Sequence, residues 1–121
     1  MASKPVQRSL AHLRKNGWTV CIVEKYIKHP NMAFGKRIDA FGIGDLLACR
    51  GAVFEGVEIC KPMIALVQCC STDFAKHKEK ILGIPEFAVW KAAGGEVILH
   101  GWAKRGPRGK RKTYQLREEF L

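Results

Sequence analysis

The sequence has no apolar run long enough to cross a bilayer, and its first residues lack the apolar core of a signal peptide. These absences argue against a membrane-spanning or secreted protein, so we expect a cytoplasmic one. Repeats and low-complexity segments are also missing. With 121 residues, of which 47% are hydrophobic, the chain predicts one globular domain over residues 1–121.

Paired zinc ligands are absent as well. The five cysteines form no C-x2-C pair, and their odd number does not suit a set of disulfides. We therefore expect reduced thiols, most of them in apolar segments, where a free cysteine behaves as a small hydrophobe.

Acidic residues are scarce. Asp and Glu number 11 against 21 Lys and Arg, which gives a formal net charge of +10. Such an excess indicates a polyanionic partner, and without a membrane segment we expect nucleic acid.

Apolar periodicity and turn residues predict the order of the elements. They are a helix from residue 3 or 4 to Asn16-Gly17, a strand over 18–27, a strand and bend over 37–49, a strand over 63–70, helices over 73–80 and 86–93, and strands over 97–102 and 112–120. This order predicts a single α/β or α+β domain with a central mixed sheet flanked by helices.

Two polar residues interrupt apolar strand patterns. Asp45 opens a strand after the bend Gly42-Ile43-Gly44, and Gln68 lies late in the strand 63–70. Burying a lone carboxylate is costly, so Asp45 must be exposed, hydrogen-bonded or functional. We hypothesise that Asp45 and Gln68 face each other across the sheet and share one site. Asp39, before the bend, is either a partner of Lys36 or Arg37 or a further ligand, and Asp45 is the stronger candidate.

These segments resemble the PD-(D/E)XK nuclease superfamily, in particular its small resolvase-like (Holliday-junction) and phage-type members. Gly44-Asp45-Leu46-Leu47-Ala48 resembles the Pro-Asp motif, with Gly in place of Pro. Val67-Gln68-Cys69-Cys70 stands at the second motif, where Gln68 replaces the acid and Cys70 replaces the lysine. The resemblance covers roughly Val6 to Trp102 and implies a restriction-endonuclease-like core.

The resemblance also implies a function: metal-dependent hydrolysis of DNA phosphodiester bonds, selective for structure rather than sequence. Mg²⁺ or Mn²⁺ would be held by Asp45, Gln68 and Glu24. Lys76 or Lys80, one turn apart on the following helix, would replace the missing lysine. DNA is then favoured over RNA, a homodimer is expected, and the compartment is the host cytoplasm if the chain comes from a phage.

Each of these roles has a structural alternative. Glu24 is equally suited to an exposed cross-strand pair with a lysine, and Lys76 and Lys80 to a solvated helix face. Gln68 and Cys70 leave a second function open, in which the nuclease fold is kept as a non-catalytic nucleic-acid-binding module.

A basic loop is predicted over residues 103–112, between the last two strands. Its six cations, with no acid among them, are Lys104, Arg105, Arg108, Lys110, Arg111 and Lys112. Such a loop suits a phosphate backbone, which carries charge and shape but no base identity. The alternative is a solvated hairpin that aids solubility.

Overall fold

The computed structural model describes residues 3–31, 33–51, 53–54, 56–58 and 61–121, which form an α+β fold. The helices are α1 (Lys4–Lys15), α2 (Phe74–Leu82) and α3 (Pro85–Ala92). The strands are β1 (Thr19–Ile22), β2 (Lys25–Ile27), β3 (Lys36–Ile38), β4 (Leu46–Arg50), β5 (Val53–Phe54), β6 (Val57–Glu58), β7 (Met63–Cys70), β8 (Glu96–Arg105) and β9 (Thr113–Phe120).

Helix α1 begins and ends where the sequence predicts. Pro5 lies in its first turn, where its missing N–H is not needed. Val6 and Leu13 are buried on one face of the helix, which packs against the sheet. Gly17 follows with a φ of +85°, a conformation that costs glycine nothing and ends the helix.

The main sheet is mixed and has the strand order β1-β4-β7-β8-β9. Strands β1, β4 and β7 are antiparallel neighbours, β8 runs parallel to β7, and β9 is antiparallel to β8. The parallel step from β7 to β8 contains α2 and α3, as a crossover connection requires. Two cores result, one under α1 and one under α2 and α3.

The predicted strand 18–27 is wrong as a single strand, because the structure divides it into β1 and β2. Val23 and Glu24, between the two, donate their backbone N–H groups to the Asp45 carbonyl oxygen at 3.0 and 3.3 Å. Strand β8 is longer than predicted and includes Lys104 and Arg105. The basic loop is therefore shorter than expected, and comprises residues 106–112.

Strands β2 and β3 form a separate two-stranded sheet outside the main one. We call residues 25–38 the hairpin arm. Its antiparallel register pairs Lys25 with Ile38, Tyr26 with Arg37, and Ile27 with Lys36.

Within the described part of the chain, no helix is both long and apolar enough to span a membrane. The four cysteines described there, Cys21, Cys49, Cys69 and Cys70, are free, as predicted. Cys60 lies outside the described residues.

Candidate metal centre

Three carboxylates meet at one end of the main sheet. One oxygen each from Glu24, Asp39 and Asp45 lies within 4.8 Å of the other two. Asp45 is buried, and the other two are half-buried. We call these three residues the acidic cluster.

The register of the hairpin arm explains why Glu24 and Asp39 are close. Lys25 and Ile38 form its last pair, and Glu24 and Asp39 are the next residue on each strand. An antiparallel ladder carries such residues towards each other. Two acids separated by fifteen positions in the sequence are thus held together at the root of the arm.

Asp45 is held by backbone hydrogen bonds to two neighbouring segments. Its N–H donates to the Val67 carbonyl at 2.9 Å, and its own carbonyl accepts the two N–H groups that separate β1 from β2. Its side-chain Oδ2 accepts the Cys69 N–H at 2.9 Å. These bonds place the Asp45 carboxylate beside the end of β7, as the sequence predicts.

Gln68 lies in the same site. Leu46 pairs with Val67, so Asp45 and Gln68 are the next residues on antiparallel β4 and β7. When the Gln68 amide is oriented by its neighbours, its nitrogen donates to the Ile43 carbonyl at 2.6 Å and to Asp39 Oδ2 at 3.1 Å. Gln68 therefore orients Asp39 through its nitrogen. Its expected role as a metal ligand stays a prediction.

Burial raises the pKa of Asp45 to about 8, with further contributions from a hydrogen bond to Asp39 and from the charges of Asp39 and Glu24. The Cys69 N–H opposes this shift. Close carboxylates that cannot all ionise favour a shared proton or a bound cation. The donor set is made of hard oxygens, which suits Mg²⁺ or Mn²⁺.

Comparisons with family models, with curated proteins and with solved structures found no match for this chain. What the site does chemically is therefore inferred from its own residues.

Arg37 is a cation at this site that sequence reasoning did not assign to it. Its Nε lies 3.3 Å from Glu24 Oε1. In the sequence Arg37 is a candidate partner of Asp39 only. The pairing of 25–27 with 36–38 brings Arg37 and Glu24 to the same end of the arm, and this register is seen only in the structure.

Lys76 and Lys80 are placed elsewhere. With Asp73 and His77 they line a shallow depression of about 200 Å³ on α2. Within the described ranges, neither lysine forms a hydrogen bond or an ion pair with the acidic cluster. Their role at the site stays a prediction.

The vicinal cysteines at the end of β7 are buried, as expected for packing residues. Burial raises the pKa of Cys69 to about 12, and burial followed by the Asp45 charge raises the pKa of Cys70. Both thiols stay protonated at neutral pH, so neither is an activated nucleophile. Cys70 therefore supplies no cation to the site.

The basic residues near the last two strands are exposed. Tyr114 on β9 lies between two of the chain's cations, with Arg8 Cζ 3.5 Å and Lys104 Nζ 5.4 Å from its ring centre. Through Tyr114 the cations of α1 join those of β8. The predicted basic loop therefore belongs to a wider cationic surface.

Proposed function

We propose that this chain is a metal-dependent endonuclease of PD-(D/E)XK type that hydrolyses DNA phosphodiester bonds and selects its substrate by structure. The observation that carries the proposal is the acidic cluster. Asp45, at the Gly-Asp step where the resemblance implies a metal ligand, lies within 4.8 Å of two further carboxylate oxygens. In a chain with a net charge of +10, such a grouping of acids needs a cation or a proton to be stable.

The order of the elements supports a restriction-endonuclease-like core. Strands β1, β4 and β7 follow α1 as antiparallel neighbours, and the next strand of the main sheet, β8, returns parallel to β7 after two helices. Asp45 directly precedes β4, and Gln68 and Cys70 lie at the end of β7. This is the order of segments on which the resemblance was based.

In this proposal Asp45, Asp39 and Glu24 would hold Mg²⁺ or Mn²⁺. Such a metal would supply Lewis-acid chemistry at the scissile phosphate and would acidify a water molecule. The Cys69 N–H fixes the Asp45 carboxylate, and the Gln68 amide fixes Asp39. Arg37, beside Glu24, offers a guanidinium to a phosphate oxygen and replaces the missing lysine.

One observation favours a second function, a non-catalytic nucleic-acid-binding module. Cys70 stands at the lysine position of the motif and is a buried, protonated thiol. Arg37, the cation assigned to the site, forms an ion pair with Glu24 and is therefore only partly available to a phosphate.

Cleavage assays separate the two functions. Branched, single-stranded and duplex DNA are incubated with the protein and Mg²⁺, Mn²⁺ or a chelator. We expect metal-dependent cleavage by the wild type and a loss of at least about 100-fold in rate for Asp45→Asn and Asp39→Asn, because each removes a charged metal ligand.

The matched control is Asp73→Asn, which removes an exposed carboxylate at the start of α2 and should leave the rate unchanged. Cleavage that survives Asp45→Asn would contradict the assigned site. Salt-sensitive DNA binding without cleavage under any condition would instead support the binding module.

A further inference from the structure

The hairpin arm is cationic throughout. Between residues 25 and 38 the sequence contains no Asp or Glu, and it contains Lys25, Lys28, Lys36 and Arg37. The three lysines are exposed, and the arm lies outside the main sheet. Its charge therefore suits a polyanion.

The arm also exposes two aromatic rings. Phe34 is 83% exposed and Tyr26 is 67% exposed. The Tyr26 ring lies over Gly35, because a Cβ added to Gly35 would be only 1.9 Å from Tyr26 Cζ. Gly35 thus gives the ring a support on one side while most of its surface faces solvent. Large exposed rings beside cations are the usual composition of a surface that stacks unpaired bases.

The ladder connects this surface to the acidic cluster through Arg37. Tyr26 is paired with Arg37, and paired residues of an antiparallel ladder present their side chains to one face. The Tyr26 ring lies over Gly35, on the side of the arm away from the cluster, whereas Arg37 Nε lies 3.3 Å from Glu24 Oε1. Arg37 is thus the cation between the exposed ring and the carboxylates.

We infer that the hairpin arm binds single-stranded nucleic acid, with Tyr26 and Phe34 stacking on unpaired bases and its lysines contacting phosphates. The inference depends on the nucleic-acid partner of the proposed function, but not on hydrolysis. It defines the substrate class as a strand with unpaired bases, because the bases of a regular duplex are already stacked on each other. The arm is separate from the basic loop, residues 106–112, which contains no aromatic residue.

The test compares two labelled probes of equal length, an oligothymidylate and a regular duplex. Their binding is measured by fluorescence anisotropy in a chelator, so that no cleavage occurs. We expect Phe34→Ala to weaken oligothymidylate binding roughly tenfold and duplex binding less than about twofold, since stacking is available only to the single strand. Tyr26→Ala should act in the same direction, whereas Tyr26→Phe keeps the ring and should keep the affinity.

The control for truncating an exposed apolar side chain is Val89→Ala on α3, where the side chain is 69% exposed. It should change neither affinity. Lys36→Gln should weaken both probes, because both carry phosphates. Phe34→Ala is the more decisive of the two truncations. Because so exposed a ring contributes little to folding, a loss of affinity would report on binding.

The inference would be overturned if both aromatic truncations left oligothymidylate affinity unchanged, or weakened the duplex as much as the single strand. A wild type that binds oligothymidylate through the arm but does not cleave would refute the proposed hydrolysis and support the arm. A wild type that binds neither probe would refute both.

Discussion

Gly44 is required at its position for a reason of space. A Cβ at this position would lie 2.9 Å from Leu66 Cβ and 3.2 Å from the Val67 nitrogen. A proline here would also remove the N–H that donates to the Ala40 carbonyl at 3.2 Å. The glycine therefore allows β7 to approach the bend closely, directly beside Asp45.

We predict that Gly44→Ala lowers the free energy of unfolding by about 1–3 kcal/mol, the range for overpacking a dense core. Gly51→Ala is the matched control, because a Cβ at Gly51 would meet nothing within 4 Å and its φ lies outside the left-handed region. Urea unfolding followed by circular dichroism measures both. Equal stability of the two variants would show that β7 can move away from the bend.

Asp45 should make the metal-free protein less stable as the pH rises. Its pKa is about 8 in the folded protein against an ordinary value of 3.8, so between these values the folded state holds a proton that the unfolded state has lost. Stability should fall with increasing pH across this window, by up to about 1.4 kcal/mol per pH unit.

Asp45→Asn should remove this dependence while keeping an oxygen for the Cys69 N–H. Urea unfolding at pH 5, 6.5 and 8 in a chelator tests this, with Asp73→Asn as the control. If wild type and Asp45→Asn lose stability equally between pH 5 and 8, Asp45 is not the group that takes up the proton.

Single residues of the site were predictable only where their signal is local. Asp45 and Gln68 interrupt apolar strand patterns and could be found in the sequence. The proximity of Asp39 and Arg37 to Glu24 depends on the register of the hairpin arm. Register is a property of paired strands that a linear pattern does not specify.

At the scale of elements, a hydrogen-bonded chain connects α1 to β8 and β9. Glu118 Oε2 lies 2.8 Å from His100 Nε2, and His100 Nδ1 lies 2.8 Å from Ser9 Oγ, which also accepts the Trp102 Nε1–H at 2.8 Å. With Nε2 protonated, the Ser9 hydroxyl donates to Nδ1 and every partner in this assigned arrangement is satisfied. Ser9 and His100 are fully buried, so these hydrogen bonds stabilise the packing of α1 against β8 and β9 rather than support chemistry.

We predict that Ser9→Ala destabilises the protein by about 1–3 kcal/mol, because His100 Nδ1 and Trp102 Nε1 both lose the Ser9 hydroxyl as a partner. Ser71→Ala, at an exposed serine after β7, should change stability by less than about 0.5 kcal/mol. Thermal or urea unfolding compares the two. A Ser9→Ala protein as stable as the control would mean that water replaces the hydroxyl.

The elements themselves were largely predictable, and the main exception, the division between β1 and β2, has a long-range cause. Helix α1 and strand β7 follow from periodicity and turn residues. The division between β1 and β2 does not, because Val23 and Glu24 fit a continuous strand by composition. Their N–H groups leave the ladder for the Asp45 carbonyl, a contact made across about twenty residues of sequence.

At the scale of the whole molecule, charge is distributed unevenly. The acidic cluster lies at one end of the main sheet and is at least half-buried, whereas exposed cations lie on the hairpin arm, on α1, on α2 and beside the last two strands. The excess of cations was evident from composition, and it remains the broadest argument for a polyanionic partner.

We predict that changing Lys110, Arg111 and Lys112 together to Gln reduces the slope of log K against log salt for duplex DNA by up to about 2.7, since each phosphate contact contributes about 0.9. The comparison is Lys61→Gln, which removes an exposed cation outside α1, the hairpin arm and the last two strands; the change in slope is divided by the number of charges removed. Binding titrations from 50 to about 200 mM salt measure the slope. An unchanged slope would exclude the loop from the contact surface.

The two edge strands of the main sheet, β1 and β9, differ in how strongly their side chains discourage pairing with another chain. Strand β9 carries Arg117, Glu118 and Glu119 in succession, and charged side chains of this kind discourage edge-to-edge pairing with another chain. Strand β1 is four residues long, has no charged side chain, and exposes Cys21 and Ile22. Self-association of this protein, including the homodimer expected from the resemblance, should therefore use the β1 edge. In sedimentation velocity, Cys21→Lys should show less self-association than the wild type.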